Sequence, residues 1–333
     1  MQKTSKHSLI NVILDTDINL DVDDAGALPV LHALADQEAC NILAVGVSTS
    51  AQIPDGLYGA ACVNALNTFY GRPDIPIGVN RGPNVIFDRV GKYAQKVAEA
   101  FPHQITSVED LPDAWQLYRK VLISQPDQSV TMVSIGFLNN FQQLLQSPSD
   151  NDSPLTGQEL VAAKVKEWVC MGGHYPKGKQ EFNFNTYALA TQYVLEHWPT
   201  AAVFVGGELG DQIKTGEILL KQYQAEKHPL AMCWQFYNGG RARASWDQIA
   251  VMYAVLGCSN RFMLSAAGRN SLVLTGAYIP DVLYKSRNVW RSGNRWYNRW
   301  FRAGKPFSHF YLRSAVSNEV LAQDIDQLMC AVR

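Results

Sequence analysis

The chain has 333 residues, 47% of them hydrophobic and 18% charged, against roughly 25% charged in an average domain. That balance excludes a disordered chain and predicts a large buried core. With 29 Lys+Arg against 30 Asp+Glu the formal net charge is -1, so no overall field draws the molecule toward nucleic acid or an anionic membrane.

In chain order, residues 11–15 (NVILD) read as a buried strand and 24–36 as a helix. A second buried strand follows at 42–47, a helix at 56–70 and a short strand at 75–79. Further on, strands at 130–135, 167–171 and 202–205 alternate with helices at 139–146 and 187–197 and another after 205. Continuous apolar strands alternating with helices predict an α/β fold with a mostly parallel central sheet covered by helices on both faces. The Ser-, Asp- and Pro-rich stretch 146–157 is a loop; because strands of the same type resume beyond it, the whole chain 1–333 is expected to be one domain. From about residue 268 the pattern is irregular. There Arg287, Arg291, Arg295 and Arg299 recur every four residues, with Trp296 and Trp300 at the same spacing. A helix would align them, interrupted at Ser292-Gly293-Asn294. Such a basic aromatic stripe can bind single-stranded nucleic acid, but the neutral chain favours Trp rings packed inward or a subunit contact.

The six cysteines, Cys40, Cys62, Cys170, Cys233, Cys258 and Cys330, form no CxxC pair and read as buried reduced thiols. No apolar run approaches the ~20 residues of a membrane span, and the polar N-terminus lacks the apolar middle of a signal peptide. These features predict a cytoplasmic protein with no membrane partner.

The most informative stretch follows the first strand. Asp15, Asp17, Asp21, Asp23 and Asp24 lie within ten residues, between an apolar strand and a helix. In open parallel sheets that edge is where ligands bind. Crowded carboxylates stay ionised together when a cation neutralises them, and all-oxygen ligands select a hard cation such as calcium or magnesium. Helix N-capping accounts for one or two of the five. An EF-hand loop begun at Asp15 fails, because Leu20 and Gly26 stand where Gly and Glu are needed. A phosphohydrolase of the haloacid dehalogenase type, with Asp15 as nucleophile and magnesium as cofactor, remains a rival. Walker GxxxxGKS/T and GxSxG motifs are absent.

Asp15-Thr-Asp17 with Asp23-Asp24 resembles the N-terminal signature D-x-D-x-x-x-D-D of the inosine–uridine nucleoside hydrolase family, with two extra residues, as in a divergent branch that reads D-V-D-D. Four more segments are similar to that family in order: Val130–Asn140 to V-T-L-V-x-T-G-x-L-T-N, Met171-Gly-Gly173 with Glu181-Phe-Asn183 to M-G-G…E-F-N, Phe204–Gly210 to F-S-G-x-E-x-G, and Ser245–Ala250 to H-D-P-x-A. The resemblance implies calcium-dependent hydrolysis of the N-glycosidic bond of a ribonucleoside or related N-ribosyl compound, giving free base and ribose in purine or pyrimidine salvage. By motif it implies that Asp17, Asp24, Asp247 and the main-chain carbonyl of Ile135 bind calcium. It further implies that Asp17 is the general base, that Asp23, Glu181 and Asn183 bind sugar hydroxyls, and that Asp15 braces the loop. The i, i+2 spacing of Glu181 and Asn183 puts both on one face of an extended segment. Family members are commonly dimers or tetramers, so a homo-oligomer is expected.

One departure bears on mechanism. Where many members carry a His that protonates the leaving base, this chain has Trp246, which can stack on a base but cannot donate a proton near neutral pH. His174, Tyr237 and His309 are the candidate replacements. The Asn that normally follows the second strand has Gln52 as its nearest polar match. Arg241 and Arg243 precede Asp247 and belong either to a solvated loop or to an anionic-substrate contact. The competing reading from another class is a non-catalytic ribosyl-binding protein that retains the metal pocket.

Overall fold

A computed structural model describes residues 9–51, 54–82, 93–275, 295–302 and 308–331. The chain opens with β1 (Ile10–Thr16), α1 (Asp23–Asp36), β2 (Cys40–Ser50), α2 (Pro54–Phe69) and β3 (Ile77–Asn80). Helices α3 (Tyr93–Ala100) and α4 (Ala114–Ile123) lead into β4 (Val130–Ser134), α5 (Asn139–Gln146), α6 (Gly157–Lys164) and β5 (Val165–Met171). Then come α7 (Phe182–Thr186), α8 (Ala188–His197), β6 (Ala201–Val205), α9 (Gly207–Gly210), β7 (Lys214–Thr215) and α10 (Leu219–Gln222). The chain continues through α11 (Pro229–Asn238), β8 (Arg243–Ala244), α12 (Trp246–Leu256), β9 (Phe262–Leu264) and β10 (Gly268–Thr275). It closes with β11 (Arg295–Arg302), β12 (His309–Ser314) and α13 (Asn318–Met329).

One sheet runs in the order β11-β10-β12-β6-β5-β4-β1-β2-β3, with β9 paired to β12 off that path. Every pairing from β3 through to β12 is parallel. The expected mostly parallel sheet with helices on both faces is therefore present. Successive strand residues point to opposite faces. Val12 and Leu14 accordingly join one hydrophobic cluster, with α1, α2, α11 and α12, while Ile13 joins the other, with α4, α5 and α8. A strand buried on both sides must be apolar throughout, which is why β1 is so legible. The order 3-2-1-4-5-6 reverses direction between β1 and β4. Ligands bind at the carboxyl ends of strands beside such a switch point, and the aspartate cluster leaves β1 at that edge.

The carboxyl-terminal part is more regular than its sequence predicts. β10 and β11 form an antiparallel hairpin-like extension of the sheet beyond β12. The helical expectation for the Arg/Trp stripe is wrong where it can be compared: Arg295–Arg302 is a strand, while Arg287–Asn294 lie outside the described residues. A spacing of four residues is also a multiple of the strand period of two, so the pattern fits both geometries. On the strand, Trp296 and Asn298 turn inward and Arg299 faces solvent. Cys40, Cys62, Cys170 and Cys233 are buried free thiols as expected, but Cys258 is exposed and Cys330 is only partly buried. Among the described residues no helix is long and apolar enough to cross a membrane.

Beneath the switch point, Asp15 sits opposite Gly46 on β2 and Ser134 on β4. A Cβ on Gly46 would lie 1.6 Å from the Tyr118 phenol oxygen. The missing side chain opens the lane through which Tyr118, on α4, reaches the buried Asp15 carboxylate. Gly46→Ala is therefore expected to destabilise the fold by about 1–3 kcal/mol through overpacking, read as a lower urea midpoint at unchanged slope; an unchanged midpoint contradicts this account.

Candidate active site and metal centre

The loop from Asp17 to Val22 is fixed from three sides. Ile18 and Val22 are fully buried, and Leu20 partly so. Asn19 adopts φ 94°, a left-handed conformation that Asn tolerates better than most residues. Tyr93 at the start of α3 pins the loop: its hydroxyl accepts from the Asn19 N–H at 2.7 Å and donates to the Asp21 carbonyl at 2.6 Å. The Asn19 amide oxygen accepts from the Ala94 N–H at 3.2 Å.

This loop and the first turn of α1 deliver acidic side chains to one point, and the first turn of α12 delivers another. Carboxylate oxygens of Asp23, Asp24 and Asp247 lie within 4.8 Å of one another, all three residues buried. The Asp247 N–H approaches Asp23 Oδ2 at 3.4 Å, and Asp24 Oδ1 accepts from the Thr16 hydroxyl at 2.5 Å. Asp17 lies at the edge of this triad, sharing a side-chain hydrogen bond with Asp24 and feeling the charge of Asp23. The set thus brings Asp23 in beside the expected Asp24 and Asp247, with Asp17 bordering it.

Burial is the main force pushing the carboxyls of Asp17, Asp23, Asp24 and Asp247 well above the usual 3.8, and their mutual repulsion adds to it. Arg243 partly offsets this for Asp23. Asp23, Asp24 and Asp247 are spaced so that one cation could be held by all three and neutralise them. The donors are all oxygens, which suits a hard divalent ion.

Ile135 follows β4, directly across the switch point. Its carbonyl accepts from Asn183 Nδ2 at 2.9 Å. A carbonyl oxygen has two lone pairs, so that contact leaves one for a cation. Gly136 is required next to it, because a Cβ there would stand 2.5 Å from the Asp17 nitrogen and 2.8 Å from Asp17 Oδ1. Below, Asp15 is fully buried, its Oδ2 accepting from the Tyr118 hydroxyl and from Asn140 Nδ2 at 2.7 Å. Burial raises its carboxyl to about 7.

Glu181 and Asn183 do not share an extended face. Glu181 is extended, but residues 182–186 form α7, and the Glu181 carboxylate caps it by accepting from the Asn183 N–H at 2.8 Å and the Phe184 N–H at 3.1 Å. The same carboxylate accepts from the Gly173 N–H at 3.1 Å. Four unpaired helix-terminal N–H groups reward a side-chain acceptor there, which the i, i+2 argument ignores. Asn183 is nevertheless brought to the Ile135 carbonyl from the other side.

Trp246 immediately precedes Asp247. Its indole N–H is held by the Gly207 carbonyl at 3.0 Å and Asp211 Oδ1 at 3.2 Å, and Gly210 lets the ring approach the chain closely. The Arg243 guanidinium lies 4.9 Å from the Trp246 ring centroid and 5.8 Å from that of Tyr237. Arg243 is paired with Asp21, its Nε–H donating to Oδ1 at 2.9 Å and Nη2 to Oδ2. Sequence reasoning missed this ion pair. Asp21 sits within the two-residue lengthening of the aspartate motif, and that insertion was the available signal. Arg241 is exposed and bonds to the Asn238 carbonyl.

Of the candidate proton donors, His309 is buried, its Nδ1 accepts from the Asn270 N–H at 3.0 Å, and burial lowers it to about 4. Tyr237 sits beside Asp21 and Arg243, with its phenol pushed up by burial. His174 stands at the carboxyl end of β5, paired with Glu208. Gln52 lies outside the described residues.

No curated protein sequence matches the chain significantly. Solved structures do match its fold. A plant nucleoside hydrolase, PpNRh1, is 18% identical with TM-score 0.66, over 97% of this chain and 100% of that one. An inosine-uridine preferring nucleoside hydrolase from Bacillus anthracis is 15% identical with TM-score 0.66, over 96% and 99%. The type III effector XopQ, solved with adenosine diphosphate ribose, is 13% identical with TM-score 0.60, over 77% and 84%. A sequence profile described as inosine-uridine preferring nucleoside hydrolase matches residues 12–286, which spans both arms of the acidic centre. The chain belongs to that family of N-ribosyl hydrolases.

Proposed function

We propose that this chain hydrolyses the N-glycosidic bond of a ribonucleoside or related N-ribosyl compound, with calcium as its resident cation. The observation that carries this reading is the meeting of Asp247 with Asp23 and Asp24 from opposite ends of the sequence. In this reading Asp17, Asp24, Asp247 and the Ile135 carbonyl hold the ion. When bound, it supplies the positive charge that keeps the carboxylates ionised, acidifies a water and anchors the ribose diol.

The remaining steps belong to the chain. Asp17 accepts the proton of the attacking water as general base. Asp23, Glu181 and Asn183 receive sugar hydroxyls and fix the ring for attack. Negative carboxylates and the Ile135 dipole stabilise the positive charge that develops on the ribose as the bond to the base breaks. In this reading the base departs on the side of Trp246, which immediately precedes Asp247. The rival with Asp15 as phosphohydrolase nucleophile is disfavoured by its complete burial and its ties to Tyr118 and Asn140. The non-catalytic ribosyl-binding reading is separated by turnover.

With calcium present, the protein is expected to release nitrophenol from p-nitrophenyl riboside, and chelator is expected to abolish it. Asp17→Ala and Asp247→Ala should each lower kcat/KM by at least ~10²-fold, the scale of a lost general base or its anchor. Release that is indifferent to chelator sinks the proposal. Gly136→Ala, which pushes on Asp17, should reduce the rate by at least ~10-fold, since small displacements at a reacting centre are costly.

A second test reads stability. The four raised carboxyls make the metal-free fold bind protons that the unfolded chain does not. Stability from this source is present below the unfolded value of 3.8 and is lost as pH rises through the raised folded-state values. Calcium competes with those protons, so the melting temperature it adds should be larger at about pH 8 than at about pH 5. An increment that does not change with pH argues against a carboxylate site.

A further inference from the structure

The acid that the family's usual histidine would supply is missing from position 246, and a half-buried pair beside Trp246 fills the chemical requirement. His174 Nδ1 lies 3.4 Å from Glu208 Oε2, with side-chain exposures of 15% and 32%. His174 follows β5 and Glu208 follows β6, at the same sheet edge as the acidic centre. Gly207 joins them to it: the Trp246 indole bonds to its carbonyl, and a Cβ on Gly207 would lie 2.8 Å from His174 Nε2. His174 and Trp246 therefore contact the same residue.

The pair is built rather than incidental. The main chain of His174 is clamped by the buried Asn298, which accepts from the His174 N–H at 2.8 Å and donates to its carbonyl at 2.9 Å. Glu208 folds back over Gly206 and accepts from the Tyr175 N–H at 3.0 Å. A carboxylate on Nδ1 fixes the imidazole and leaves Nε2 to act.

Resting on the nucleoside hydrolase reading above, we propose that His174 is the proton donor to the departing base and that Glu208 is its positioning residue. As the C–N bond breaks, its electron pair goes to the base nitrogen and His174 Nε2–H passes a proton to the base. Water's oxygen bonds to the ribose carbon and its proton goes to Asp17. Each group then exchanges protons with solvent. Burial disfavours the charged form of both groups, lowering His174 and raising Glu208 to about 7. The other charged or titratable groups acting on the pair are Asp211, Lys179 and the Tyr175 phenol.

The test compares leaving groups in the full-length protein with calcium. Nitrophenolate leaves without protonation, whereas inosine and uridine need an acid. His174→Ala, with His174→Gln as a second variant, should lower nucleoside kcat by ~10²–10⁴-fold and leave p-nitrophenyl riboside within a few-fold. Glu208→Gln should move the high-pH limb of nucleoside kcat/KM to lower pH, because imidazolium loses its partner, with the nitrophenyl profile unmoved. Equal loss on both substrates, or no loss on either, overturns the assignment. So does a wild type that cleaves the nitrophenyl riboside and no nucleoside, which leaves the hydrolase reading standing. A wild type that cleaves neither overturns that reading as well.

Discussion

The burial of four carboxyl groups at one point is the constraint that organises this molecule. Asp17, Asp23, Asp24 and Asp247 are held together where burial and like charge both oppose ionisation. Such an arrangement persists only when the fold fixes it firmly and either protons or a cation relieve the charge. The surrounding structure is the fixing. Tyr93 ties the loop, α1 and α12 aim their first turns at it, and β1 and β4 diverge around it at the switch point of the sheet.

The layer beneath the acidic centre is polar as well. Asp15, Tyr118 and Asn140 form a buried network that links β1 to α4 and α5. Asn183 crosses from α7 to the Ile135 carbonyl, and Glu181 fixes α7 while holding the Gly173 N–H. Carboxylates with acceptor capacity in excess of two bonds can serve both a backbone cap and a ligand. Candidate site residues and their support are therefore the same side chains, so substitutions in the support should act on chemistry as well as on stability.

A second cluster surrounds Trp246, next to Asp247 in the chain. Trp246, Arg243 and Tyr237 form a cation–aromatic stack, locked to the aspartate loop through Asp21. The Asp21–Arg243 pair thus ties the aspartate loop to the segment that carries Trp246, three residues beyond Arg243. The indole, held by Gly207 and Asp211, leads from Asp247 toward the His174–Glu208 pair.

Continuous apolar runs were enough to place β1, β2, β4, β5 and β6, because strands covered on both faces must be apolar at every position. The density of aspartates was enough to mark the carboxyl end of β1 and to suggest a hard cation. Periodicity misread Arg295–Arg302, since a repeat of four satisfies both strand and helix, and spacing misread Glu181 and Asn183, since capping a short helix overrides alternation. The amino-acid sequence by itself determined the sheet, its layers and the chemical nature of the acidic loop. Only the tertiary structure decided which distant groups meet there, Asp247 with Asp23 and Asp24, Arg243 with Asp21, and His174 with Glu208. Local sequence encodes burial and backbone preference, whereas the joining of remote segments is set by strand order, and strand order is a property of the folded sheet.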